Sequence, residues 1–278
     1  MKGGYSMSEP EPEKPGGSAK ERTGSAVLTP ERREEIQKHI RDLLSDDYHV
    51  RAQSISELGK YGQEAAEALV HALLKKKPDH PHALANFSDA LAEIGKPSLN
   101  VILHALNHIA EVRRCEDVYL LESFVDLLGV LHDRRAAGTL LEQLGKLNRA
   151  IRRNHDRTLV HCCEAAKVRI HRILIDLGEK GGVDDLLEML GDGRRRVRDG
   201  VVDALTRVGD RRALVPLVRL YDIEEHVSFS GAQFIKEAIR EIARREHVTP
   251  DDKMFRDLAP SERAALERVF PKARGSKH

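Results

Sequence analysis

Apolar residues recur along this chain at helical spacing, and the stripes come in pairs. The clearest copy is "VRDGVVDALTRVGDRRALVPLVRL", in which Val197 is followed by Leu205, Gly209, Ala213 and a second apolar stripe. Val50, Leu58, Gly62 and Ala66 take the same steps. So do Ala83, Leu91, Gly95 and Leu99, then Leu120, Leu128, His132 and Ala136, then Ala166, Leu174, Gly178 and Gly182. The pattern predicts a repeated helix pair. Helix A carries the first stripe and ends at the glycine, which tolerates the left-handed cap conformation. A mostly small residue at the last anchor lets helix B lie close. One pair cannot bury both its faces, so pairs stack into a solenoid.

Order begins at "LTPERREEIQKHIRDLL", where Thr29 caps a helix, Pro30 fits its first position, and Ile36, Ile40, Leu43 and Leu44 share a stripe. The interval from Leu120 to Ala166 is the longest and predicts a long loop or an extended helix. A degenerate sixth unit runs from about Val227 to Arg245. Two further helix starts, at Thr249–Pro250 and Ser261, bring Leu258, Leu266, Val269 and Phe270 over the last open face. The expected organisation is a disordered tail over 1–28, a solenoid over 29–247, capping helices over 248–272 and a frayed end over 273–278. The first segment has almost no apolar residues to offset its ordering entropy.

Composition agrees with an all-α chain. Trp is absent and aromatics are 4% of the 278 residues, so the core is built from Leu, Ile, Val and Ala. The 46 basic and 45 acidic side chains leave a net charge of +1, so any pull on nucleic acid must be local. No apolar run approaches the ~20 residues of a membrane span, and the N-terminus has no apolar signal region. Three cysteines, two of them adjacent, do not make a disulfide framework and fit a reducing, cytoplasmic setting.

The segments "VRAQSISELGKYG" and "VRDGVVDALTRVGDRRALVPL" resemble HEAT-like repeats of the phycobilisome-lyase type. The resemblance covers roughly 43–245, although the middle copies lack the Val-Arg pair. It implies a right-handed α-solenoid of five to six HEAT-like helix pairs with a C-terminal helical cap. Most such proteins are scaffolds and binding modules, and a few act on bound cofactors or nucleic acid. HEAT-type hydroxylases hold iron through His-Glu dipeptides, and this sequence has none. HEAT-like glycosylases use Trp-rich clefts, which a chain without Trp lacks.

Two histidine sets are weak metal candidates. His71 and His104 occupy equivalent places on successive B helices, with His108 one turn beyond. His161, Glu164 and His171 share a helix face beside Cys162 and Cys163. The plainer explanation is a polar helix face with the cysteines as small core residues, so no metal and no cofactor is expected.

Cations concentrate at the B-to-A links, which lie along one edge of such a stack. They are Lys75, Lys76 and Lys77; Arg113 and Arg114; Arg149, Arg152, Arg153 and Arg157; and Arg194, Arg195, Arg196 and Arg198. Asp79, Glu111, Glu116, Asp117, Asp156 and Asp192 dilute this edge. Arg134, Arg135, Arg211 and Arg212 belong to the opposite edge. Basic residues at helix C-termini also offset the helix dipole, and Arg51 and Arg198, at equivalent places, suit contacts within the stack. The expected function is a non-enzymatic scaffold that presents a concave B-helix face to a protein partner. The alternative is a nucleic-acid-associated or regulatory module that uses the basic edge. A lyase- or hydroxylase-like enzyme is the least favoured.

Overall fold

A computed structural model describes residues 29–75, 81–109, 111–179, 182–191 and 195–271, without the side chains of Pro81, His82, Arg195 and Arg196. The expected tails, Lys76, Lys77 and Arg194 lie outside the described residues. Thirteen helices and no strand occur among the described residues. They are α1 (Pro30–Asp42), α2 (Tyr48–Tyr61), α3 (Gln63–Lys75), α4 (Pro81–Ile94), α5 (Leu99–His108), α6 (Cys115–Leu131) and α7 (Ala136–Arg153). Then come α8 (Arg157–Asp176), α9 (Val183–Met189), α10 (Arg195–Val208), α11 (Leu214–Glu224), α12 (Phe229–Arg245) and α13 (Pro260–Val269).

The even-numbered helices α2 to α12 pack one on the next and form the first layer. In the second layer α3 packs on α5, α5 on α7, and α11 on α13. This is a stack of helix pairs, as the paired stripes require. The anchors Leu58, Leu91, Leu128, Leu174 and Leu205 are buried, as are Ala66, Leu99, Ala136 and Ala213. Gly62, Gly95 and Gly178 end their helices at φ of 57°, 71° and 87°, and His132 takes the same left-handed place at 47°.

Several local expectations change. Leu44 lies past the end of α1, leaves the stripe and is 59% exposed. The long interval resolves into two long helices, the 18-residue α7 and the 20-residue α8, separated by Asn154–Asp156. The unit at 227–245 is a single helix, α12. Thr249–Pro250 opens a turn, because the Asp252 carboxylate accepts from the Met254 N–H and closes a one-turn 3-10 helix at Lys253–Phe255. The second start falls at Pro260, and α13 packs on α11 and α12 with Leu266 and Val269 buried.

The apolar interior forms two clusters that meet at α8. Cys163, Ala166, Ile170 and Leu174 of α8 belong to the first, which reaches back to Ile36. Val168, on the same helix, belongs to the second, which runs on to Val269. The second layer thins at this point, since α9 has seven residues and packs mainly on α10.

A polar triad bridges the seam between α8 and α9. Lys167 Nζ donates to Asp185 Oδ1 at 2.6 Å, and His171 Nε2 donates to Asp185 Oδ2 at 2.7 Å. The Lys167 and His171 side chains are only 5% and 1% exposed. Burial pushes the Asp185 carboxyl up, but the His171 and Lys167 hydrogen bonds more than offset this and hold it down at about 2. Gly182, which precedes α9, lies directly over the imidazole. A Cβ there would fall 2.5 Å from His171 Cε1, and the backbone sits at φ 99°.

Gly182→Ala is expected to lower unfolding stability by about 2–4 kcal/mol in urea titration, from left-handed strain plus overpacking. Gly138→Ala, within α7 and with open space around its Cβ, is expected to be neutral or to stabilise by up to about 1 kcal/mol. Asp185→Asn is expected to cost about 3–5 kcal/mol, because it leaves the Lys167 ammonium buried without its carboxylate. In the wild type the Asp185 contribution, roughly 2–3 kcal/mol, is present above its unfolded pKa of about 3.9 and is lost as pH falls through about 2. Acid titrations of wild type and Asp185→Asn should therefore converge across that window.

Candidate functional site

The two histidine sets do not assemble as metal centres. His104 and His108 stack edge to face on α5 with ring centroids 4.2 Å apart, and His71 is an exposed residue of α3. His171 turns into the seam toward Asp185, away from any shared site with His161 and Glu164. His161 Nδ1 is buried without a hydrogen-bond partner among the described residues. No group of three or more metal-donor side chains is gathered among the described residues. Of the cysteines, only Cys163 is a core residue, while Cys162 is half-buried and faces Cys115.

Among the described residues, part of the basic edge is engaged by intramolecular partners. Arg198 pairs with Glu224 at 2.7 Å in a nearly buried contact. Arg51 donates to the Ser45 and Asp46 carbonyls at 2.7 and 2.9 Å. Arg114 lies 3.9 Å from Glu116, and Arg157 is not free either. Arg195 and Arg196 open α10, with their side chains outside the described residues. Lys75 ends α3 as an exposed residue. On the opposite edge, Arg134 donates to the Leu177 carbonyl at 3.2 Å and Arg135 pairs with Asp133 at 2.9 Å. Arg211 and Arg212 pair with Asp252 and Asp210 at 3.3 and 2.8 Å.

The fold draws part of the edge together at the link between α5 and α6. Asp117 starts α6 by accepting from the Arg113 and Arg114 backbone N–H groups at 3.0 and 3.1 Å. At the end of α5, Lys146 Nζ of α7 reaches across and donates to the Leu106, Asn107 and Ile109 carbonyls at 3.2, 3.3 and 2.6 Å. Gln143, one turn earlier on α7 and fully buried, donates to the Leu106 carbonyl at 3.1 Å. These bonds satisfy carbonyls that a helix C-terminus leaves open, and the ammonium also offsets the helix dipole. Burial holds the Lys146 amine below the ordinary lysine range. Sequence reasoning missed Gln143 and Lys146. Their signal is a polar pair one turn apart on the inward face of a B helix.

Two surface hollows flank this link and share Glu111 and Arg113. The first, about 490 Å³, is lined further by Leu74, His108, Ile109, Asp117 and Leu120. The second, about 360 Å³, is lined by Lys146, Arg149, Arg153 and Asn154 over Val112 and Ala150. Within it the Arg113 guanidinium pairs with Glu111 at 3.0 Å, and Arg153 lies 3.6 Å from the same carboxylate. Arg149 has no ion pair among the described residues. One hollow thus offers apolar surface, and the next sets four cations against one carboxylate. Arg113, Arg149 and Arg153, from two successive links, meet here, while Arg152 is exposed on the same helix end and lines neither hollow.

No described helix is long and apolar enough to cross a membrane. No protein-family model and no curated protein matches this chain. The described residues form an all-helical structure with the pairwise packing of a helical-repeat stack.

Proposed function

We propose that this protein is a non-enzymatic binding scaffold, a right-handed HEAT-like solenoid of five to six helix pairs with a C-terminal helical cap. Its concave B-helix face receives a protein partner, and the groove at the α5–α6 link is the anchor point. The supporting observation is the adjacency of the two hollows. Leu74, Ile109 and Leu120 suit one apolar side chain, and Arg149 and Arg153 suit a neighbouring carboxylate. The matching partner is an extended peptide segment that alternates apolar and acidic residues. Leu74 and Leu141, 41% and 49% exposed on α3 and α7, add apolar surface on the same layer.

A nucleic-acid module has less support. A phosphate track needs unpaired cations, and Arg113, Arg114, Arg153 and Arg198 already hold carboxylates. With no Trp and 4% aromatics, stacking platforms for bases are scarce as well. An enzymatic reading has the least: His104 and His108 stack on each other, His171 is held by Asp185, and no group of three or more metal-donor side chains is gathered among the described residues.

Selection from a displayed random-peptide library tests the proposal. Apolar–acidic sequences are expected to emerge. Arg149→Glu with Arg153→Glu should weaken the selected peptides by about tenfold or more, equivalent to ~1.4 kcal/mol. Lys253→Glu, on the far exposed turn, should leave affinity unchanged. Equal binding by the double variant, or a purified protein that carries nucleic acid removable by salt and selects no peptide, contradicts the proposal.

A further inference from the structure

Cys115 opens α6 and Cys162 lies in the second turn of α8, on neighbouring helices of the first layer. Although the residues are 47 positions apart in the chain, their Sγ atoms are 2.9 Å apart. A disulfide bond spans about 2.0 Å, so less than ~1 Å of sulfur movement closes the gap. Both residues are half-buried and open to a small oxidant, whereas Cys163 is fully buried in the first core. The adjacent pair Cys162–Cys163 is therefore split by the helix, with one thiol turned to the core and the other to Cys115.

We propose that Cys115 and Cys162 are a reversible disulfide site, closed by a small-molecule disulfide such as oxidised glutathione. Cys162 gives its proton to solvent, and the thiolate attacks one sulfur of glutathione disulfide. That S–S bond breaks, and one glutathione leaves with the electron pair and is protonated. Cys115 then gives its proton to solvent and attacks Cys162 Sγ. The mixed disulfide breaks, and the second glutathione leaves and is protonated. The protein pair loses two electrons, and one glutathione disulfide becomes two thiols.

Burial and the neighbouring Cys162 thiol push the Cys115 thiol up, which favours Cys162 as the thiol that opens the exchange. The Tyr119 hydroxyl, 3.9 Å from Cys162 Sγ, completes the local contacts. The new bond staples α6 to α8 at the start of α6, where Arg113 and Asp117 line the groove on either side of Cys115. The bond itself does not depend on what the groove binds.

The test uses the full-length protein equilibrated in glutathione buffers from fully reduced to fully oxidised, acid-quenched and alkylated, and read by intact mass and peptide mapping. Reactive thiols counted after unfolding should fall from three to one, with Cys115 linked to Cys162 and Cys163 still alkylated. Dithiothreitol should restore all three. C115S should retain a single glutathione on Cys162, because nothing completes the exchange. Three free thiols in oxidised buffer, a glutathione adduct that persists on the wild type, a link through Cys163, or no adduct on Cys162 in C115S would each overturn the proposal.

Discussion

Asp185 is the point on which the two halves of this stack turn. Its carboxylate takes one bond from Lys167 and one from His171, both buried, and both on α8. Neither donor finds a substitute in an apolar seam, so α9 is held in one position against α8. That matters because the second layer is thinnest here. The first cluster ends on α8 and the second begins there, so packing of the later helices depends on where α8 places Val168 and what α9 sets beside it. Gly182 fits the same constraint, since only a residue without a side chain passes over the imidazole at that backbone angle.

The helix ends supply the rest of the chemistry. A stacked repeat brings many helix C-termini to its edges, and each leaves open carbonyls. Lys146 closes α5, Arg134 reaches the end of α8, and Arg245 reaches the Thr206 and Gly209 carbonyls at the end of α10. These three cations are therefore structural. The groove differs because the third link brings more positive charge than its neighbours absorb. Lys146 is committed to carbonyls, Arg113 and Arg153 share Glu111, and Arg149 is left over. A binding role for the edge rests on that local surplus rather than on the total number of arginines.

The layers were legible in the sequence because burial writes them directly. Apolar anchors such as Leu58, Leu128 and Leu205 recur with a turn residue after each, and that pattern has no other simple cause. The seam was not legible. His171 reads as part of a polar helix face with His161 and Glu164, and the carboxylate that draws it and Lys167 inward lies on the next helix. The Cys115–Cys162 contact was hidden for the same reason, since pairing across neighbouring repeats depends on the rotation of each helix. The groove was half legible. Arg113 and Arg153 belong to the predicted edge, but Lys146 and the apolar floor come from how α5, α6 and α7 converge. Thr249–Pro250 looked like a helix start, and Asp252, three residues on, captured the turn instead.

Peptide-resolved hydrogen exchange on wild type and Asp185→Asn at neutral pH tests the role of the seam most directly. If Asp185 joins the two cores, the variant gains exchange through α9, α10 and the helices of the second cluster, while α2 to α6 keep their protection. A uniform rise along the whole chain, or no change in α9 and α10, contradicts it.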